Sequence, residues 1–139
     1  DIIFDKTHLA LTLGEIKPED EVLVRIQQTN TLHDIMNING FGNRWSFTKA
    51  MEKIQREGKG ALILLSNHES QSEIINNTLF LKGKKRNNSI EAPDSRNIGV
   101  GAQILRDIGI QKIKLLGAKV KYPLTGFDLE ITQFINFKK

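Results

Sequence analysis

Gly99-Val-Gly-Ala-Gln-Ile-Leu-Arg-Asp-Ile-Gly-Ile-Gln-Lys-Ile-Lys-Leu-Leu116 is the stretch whose reading decides the fold. Val100, Ile104, Leu105 and Ile108 recur at the period of a helix with one apolar face, and Gly109 stands where such a helix stops. Ile113-Lys-Leu-Leu116 then has the short apolar character of a strand. A helix running straight into a strand is the building unit of an α/β sheet.

The neighbouring segments extend that unit in both directions. Downstream, Tyr122-Pro123 and Gly126 mark turns, and Leu129 to Phe137 forms a last strand through Leu129, Ile131, Phe134, Ile135 and Phe137. Upstream, Ser70 to Leu81 carries Ile74, Ile75, Thr78, Leu79 and Leu81 at helical spacing. Gly60-Ala-Leu-Ile-Leu-Leu65 is a continuous apolar run, which predicts a strand covered on both faces. Trp45 to Arg56 has a helical period stopped by Gly58, Glu21 to Ile26 is a strand, and Leu9 to Leu13 alternates weakly. Thr29 to Asn43 is polar and irregular, and Lys82 to Asp94 is a loop by composition. Strands alternating with helices predict an α/β domain with a mixed β-sheet flanked by helices.

A chain of 139 residues with 39% hydrophobic content fits one domain, residues 1–139, and buries roughly two-thirds of its unfolded surface. No run approaches the roughly 18 apolar residues of a membrane helix. The start Asp1-Ile-Ile-Phe has no charged-then-apolar leader, so a cytoplasmic location is expected, and the chain reads as part of a longer protein. The absence of cysteine excludes disulfides, thiolate nucleophiles and zinc sites built on Cys. Of the 20 basic residues behind the net charge of +4, four lie in Lys82-Gly-Lys-Lys-Arg86, so the basicity is local.

Several residues are candidates for chemistry, each with a plainer reading beside it. His8, His33 and His68 are scattered, and His33 and His68 stand next to Asp34 and Glu69, so an exposed or locally bonded side chain is the expectation for all three. Gly99-Val-Gly101 is read as opening a helix, where glycines let backbone approach a phosphate and the helix dipole favours an anion. Close helix-to-strand packing needs small residues equally well. Arg96 could fork onto a phosphate or carboxylate, or pair with Asp94 or Asp107. Lys84 and Lys85 could contact a polyanion. With only Phe80 as a nearby aromatic, the Lys82–Arg86 run reads as a solvated loop, and nucleic acid is not the expected partner.

Gly99–Leu116 closely resembles the helix-and-strand signature "GIGAQILRDLGVRKIRLL" of the GTP cyclohydrolase II family, the zinc enzymes that open the riboflavin pathway. Val22-Leu-Val-Arg25 resembles that family's "VLVRVH" strand, Glu57-Gly-Lys-Gly-Ala-Leu-Ile-Leu-Leu65 its "EEGRGVLLYL" strand, and Leu124 to Ile131 its "LxGYGLEVV" ending. The resemblance covers most of the chain. It implies a zinc site of one Cys, ten intervening residues, and then Cys-x-Cys. Those positions fall on Asn30, Phe41 and Asn43. Zinc activates the attacking water in such chemistry, and without its ligands the resemblance implies no zinc and no cofactor.

Other elements of the family's site also differ. Ser66 to Glu73 lacks the arginines and glycines of the "RQEGRGIGL" loop, the following helix has no Tyr, and Gly117 to Tyr122 stands in place of "TNNPxK". Asp94 and Arg96 fall on the family's "DxRD" segment and are vestigial catalytic candidates, with Asn97 replacing the second Asp. The resemblance thus implies a degenerate cyclohydrolase-like domain, as found behind a 3,4-dihydroxy-2-butanone 4-phosphate synthase half in one chain. Its role is then structural or regulatory, with that half as its partner and a homodimer as a candidate assembly. The alternative is a residual nucleotide- or sugar-phosphate-binding domain that uses Arg96, Gly99, Gly101, Lys84 and Lys85.

Overall fold

The computed structural model describes residues 6–29, 34–36, 44–66, 70–83, 95–119, 121–122, 124 and 126–138. Five strands form one sheet: β1 (Leu9–Leu13), β2 (Glu21–Gln28), β3 (Gly60–Leu65), β4 (Lys112–Leu116) and β5 (Glu130–Ile135), in the order β1-β3-β2-β4-β5. The β2–β3, β2–β4 and β4–β5 pairs are parallel, and β1 joins β3 antiparallel. Three helices, α1 (Phe47–Glu57), α2 (Gln71–Leu81) and α3 (Ser95–Ile108), complete the mixed α/β architecture expected from the sequence.

Successive strand residues point to opposite faces, and here both faces are apolar. Val22 and Val24 of β2, Ala61, Ile63 and Leu65 of β3, and Ile113 and Leu115 of β4 pack with Leu105 of α3 and Ile110. On the opposite face Leu23, Leu62 and Leu116 meet Ala50 and Ile54 of α1. Full burial of one such aliphatic side chain is worth about 1.5–3 kcal/mol, so the two clusters together hold the sheet between its helices.

Local signals explain where the helices begin and end. Ser46 caps α1 by accepting from the Lys49 N–H at 3.2 Å, and Gly58, with φ +77°, takes the left-handed turn that closes it. Ser70 and Glu73 form a reciprocal capping box at the start of α2. The apolar residues of α2 do not serve the core, however. Ile74, Ile75 and Phe80 are exposed, and the one buried residue of the helix is Asn77.

The boundaries of α3 and β5 differ from the sequence reading in ways that packing explains. Helix α3 begins at Ser95, so Gly99 and Gly101 lie beyond its first turn rather than opening it. Glycine marks a boundary only when nothing else demands its size, and a Cβ on Gly101 would lie 3.1 Å from Ile26 Cδ1. Strand β5 is shorter than Leu129–Phe137 and irregular: Ile131 opposes Ile113, Thr132 is skipped, and Gln133 opposes Lys114. This bulge brings Ile131 and Phe134 onto the α3 face although they are three residues apart. The expected loop from Lys82 to Asp94 lies outside the described residues from Lys84 onward, as does most of the irregular Thr29–Asn43 stretch.

Gly60 fixes how closely α1 can sit on β3. A Cβ there would lie 2.8 and 2.9 Å from the two Cγ atoms of Ile54 and 2.9 Å from the Leu23 carbonyl oxygen. Gly60→Ala is therefore expected to destabilise the fold by about 1–3 kcal/mol, the usual cost of overpacking. A denaturant midpoint unchanged from the parent chain would contradict this account of the α1–β3 contact.

Candidate functional site

In parallel α/β sheets, ligands collect at the carboxyl ends of the strands, and the polar centre of this molecule lies there. Arg25 and Gln27 follow Leu23 on the same face of β2, beyond the apolar layer. The Arg25 guanidinium donates from Nε to Gln27 Oε1 at 3.1 Å, from Nη1 to the Leu116 carbonyl at 2.8 Å and from Nη2 to the Trp45 carbonyl at 3.1 Å. Gln27 Nε2 donates to Asp34 Oδ1, and that oxygen also accepts from the Phe47 N–H at 3.3 Å. Trp45 Nε1 donates to the Ile135 carbonyl at 2.7 Å, which also accepts from the Gly117 N–H at 3.0 Å.

One guanidinium thus ties the ends of β2 and β4 to the segment that leads into α1, and the Trp45 indole carries the tie on to β5. Burial pulls Arg25 below the ordinary guanidinium value, while the Asp34 and Tyr122 charges oppose that shift. Burial likewise raises the Tyr122 phenol, against the pull of Arg25. The chemistry of the cluster is that of a clamp. Arg25 uses three nitrogens on protein acceptors, and Asp34 receives two donors from the protein itself.

The residues singled out from sequence are only partly brought into view. Arg96 belongs to the first turn of α3. Gly101 packs on Ile26, whereas among the described residues a Cβ at Gly99 would meet only Phe127 Cζ, at 3.9 Å. Asp94, Lys84, Lys85, Asn30, Phe41 and Asn43 lie outside the described residues, as do His33 and His68. His8 accepts at Nδ1 from the Ser66 N–H at 3.0 Å, a partner far along the chain rather than a local one. Among the described residues no group of three or more His, Cys, Asp or Glu is placed to hold a metal.

The residue reading had not picked out Arg25, Gln27 and Asp34 as a cluster. The available signal was Arg25 itself, the one cation in the otherwise apolar run Val22-Leu-Val-Arg-Ile26, because a charge on a buried strand requires partners.

Comparison with known proteins agrees with this fold. The family model for GTP cyclohydrolase II matches residues 1–136. The chain is 32% identical over 136 residues to a 3,4-dihydroxy-2-butanone 4-phosphate synthase of Pseudomonas aeruginosa, covering 97% of this chain and 37% of that protein. It is 35% identical over 141 residues to the riboflavin biosynthesis protein RibBA of Aquifex aeolicus, covering 94% of this chain and 35% of that one. The chain therefore spans little more than a third of these relatives. Among solved structures, a two-domain 3,4-dihydroxy-2-butanone 4-phosphate synthase from A. baumannii, RibBX, aligns with a TM-score of 0.45 at 20% identity, covering 91% of this chain and 30% of that one.

Arg25→Leu leaves the Leu116 and Trp45 carbonyls without their donor, and each buried polar group left unsatisfied costs about 1–3 kcal/mol. The expected result in denaturant unfolding is a loss of at least about 2 kcal/mol, with Arg25→Lys intermediate. His8 sets a pH dependence. Its burial, with the Lys6 charge added, holds the imidazole below its ordinary value of 6.5 in the folded chain. The unfolded chain then binds the proton more readily, so stability is full above pH 6.5 and falls as pH drops below it. His8→Asn should flatten that part of the stability–pH curve, and an unchanged slope would contradict the assignment.

Proposed function

The chain belongs to the GTP cyclohydrolase II family, and from that premise we propose that it is a zinc-free member without GTP ring-opening activity, serving a structural or regulatory role. The observation that carries this reading is the donor set. The positions matching the family's three zinc cysteines hold Asn30, Phe41 and Asn43, and the chain has no cysteine elsewhere. Zinc takes thiolate, imidazole or carboxylate ligands. A phenyl ring offers none of these, and two neutral amides do not replace two thiolates. The residues present do not fit the metal, and the water activation it would supply has no other agent in the cluster. Arg25 is turned to protein carbonyls, which supports a fold-holding use of the carboxyl-end cluster.

The partner in this reading is a 3,4-dihydroxy-2-butanone 4-phosphate synthase half of the same chain, in the cytoplasm. Relatives named for that synthase, of which this chain matches only 37%, support it. The alternative, a phosphate site built on Arg96, Gly99 and Gly101, is weakened because Ile26 already accounts for the missing side chain at Gly101.

Metal analysis of the purified chain should find well under one zinc per molecule, and incubation with GTP should release no formate. One tightly bound zinc per chain, or formate release above a no-protein control, would overturn the reading.

A further inference from the structure

We propose that the groove between α1 and β5 is a docking site for an acidic amphipathic helix of a protein partner. α1 covers the sheet over β2 and β3, through contacts with Leu23 and Leu62. The sheet runs on through β4 to β5, and between α1 and β5 lies a groove of ≈ 770 Å³. In an α/β layer such space beside a helix is where a second helix packs.

The lining sets the chemistry of the occupant. One part is apolar: Trp45, Ile135 and Phe137. Trp45 and Ile135 also pack on the buried cluster beneath α1, so this part continues the core. Trp45 and Phe137 meet edge to face, with centroids 5.2 Å apart at 68°, and the bond from Trp45 Nε1 to the Ile135 carbonyl pins the indole. The other part is cationic. Lys49, Lys53 and Arg56 recur at successive turns of α1 and share one side of it, and Lys138 lines the groove from the strand side. Glu52 answers Lys49 at 3.1 Å, and Glu57 is shared between Lys53 at 3.8 Å and Lys114 at 3.7 Å. Among the described residues Arg56 and Lys138 have no ion-pair partner.

An apolar continuation of the core between cationic walls matches an apolar stripe flanked by carboxylates. A helix lying beside α1 presents carboxylates at i, i+4 and i+7, the interval at which Lys49, Lys53 and Arg56 are set. Helices dock in grooves by such stripes, and the unanswered charges select the sign of the partner. A polyanion without a stripe would answer the cations and leave Ile135 and the ring pair uncovered. The inference does not rest on the zinc-free reading, because it uses neither the metal positions nor Arg96.

Trp45 is the only tryptophan in the chain, so its indole N–H resonance reports on the groove directly. The probe is the acetylated, amidated peptide Glu-Leu-Glu-Ala-Glu-Leu-Glu-Glu-Leu-Glu-Ala-Glu-Leu-Glu, whose leucines form one helical stripe between glutamates. Titrated into the intact chain, it is expected to shift that resonance saturably. The same peptide with Gln for every Glu, and polyglutamate of equal charge, should each bind at least tenfold more weakly. The double variant Lys53→Glu/Arg56→Glu should raise the dissociation constant at least tenfold while retaining the parent circular dichroism. Should it lose that signal, Lys138→Glu, beyond the end of β5, is expected to weaken binding at least threefold. No saturable shift, or parent-like binding by a folded variant, would overturn the proposal. So would equal binding of the Gln peptide, which would make the groove merely apolar. Polyglutamate or a single-stranded oligonucleotide binding as tightly as the probe would make it a general polyanion surface and overturn it as well.

Discussion

β2 lies at the middle of the sheet with parallel neighbours on both sides, and such a strand must be covered above and below. Val22, Leu23 and Val24 are each at most 1% exposed, so consecutive residues commit both faces to the interior. The rest of the molecule follows from that constraint. α3 closes the face of Val22 and Val24, α1 closes the face of Leu23, and Gly60 lets α1 approach closely enough to do so. Arg25 ends the apolar stretch. Because a charge there cannot be left without acceptors, the carboxyl ends of β2 and β4 and the entry to α1 are drawn onto one guanidinium.

Coverage weakens away from the middle. β1 pairs with β3 at one edge, and its residues are exposed along its length, Leu9, Leu11 and Leu13 included. At the other edge the α1 face of β5 borders an open groove rather than a helix. α2 adds little to the core, with Ile74 and Ile75 exposed. Among the described residues the large exposed apolar side chains thus lie on β1, on α2 and at Ile35 and Met36.

The elements legible in the sequence were those whose pattern has a single physical meaning. Gly60–Leu65 reads as a strand buried on both faces because no polar residue interrupts it, and the structure places it between β1 and β2. The start of α3 was not legible at Gly99, because a glycine chosen for its contact with Ile26 looks the same in sequence as one chosen for a boundary. The bulge at Thr132 was hidden for a similar reason. Ile131, Phe134 and Ile135 have no regular alternation until the register with β4 assigns them to faces. The carboxyl-end cluster joins residues as far apart as Arg25 and Leu116, a juxtaposition that only the parallel crossover creates. Trp45, read from the chain as the first residue of a helix, precedes α1, and its indole bonds to the Ile135 carbonyl beside β5.

Core and site place different demands on a sequence. The strand and helix signatures shared with the GTP cyclohydrolase II family occupy positions such as Val22, Val24, Leu105, Ile113 and Leu116, where a change of even one methylene is felt. Asn30, Phe41 and Asn43 fall in the sequence between β2 and α1 and lie outside the described residues. Arg25 belongs to both categories, and its geometry shows which demand prevails: its donors are directed to the Leu116 and Trp45 carbonyls, so the residue is required by the fold whether or not any ligand is bound. A fold can therefore retain its central cation and its signature strands for packing alone, because Arg25 and the two apolar clusters hold the sheet together through protein contacts and need no ligand to do so.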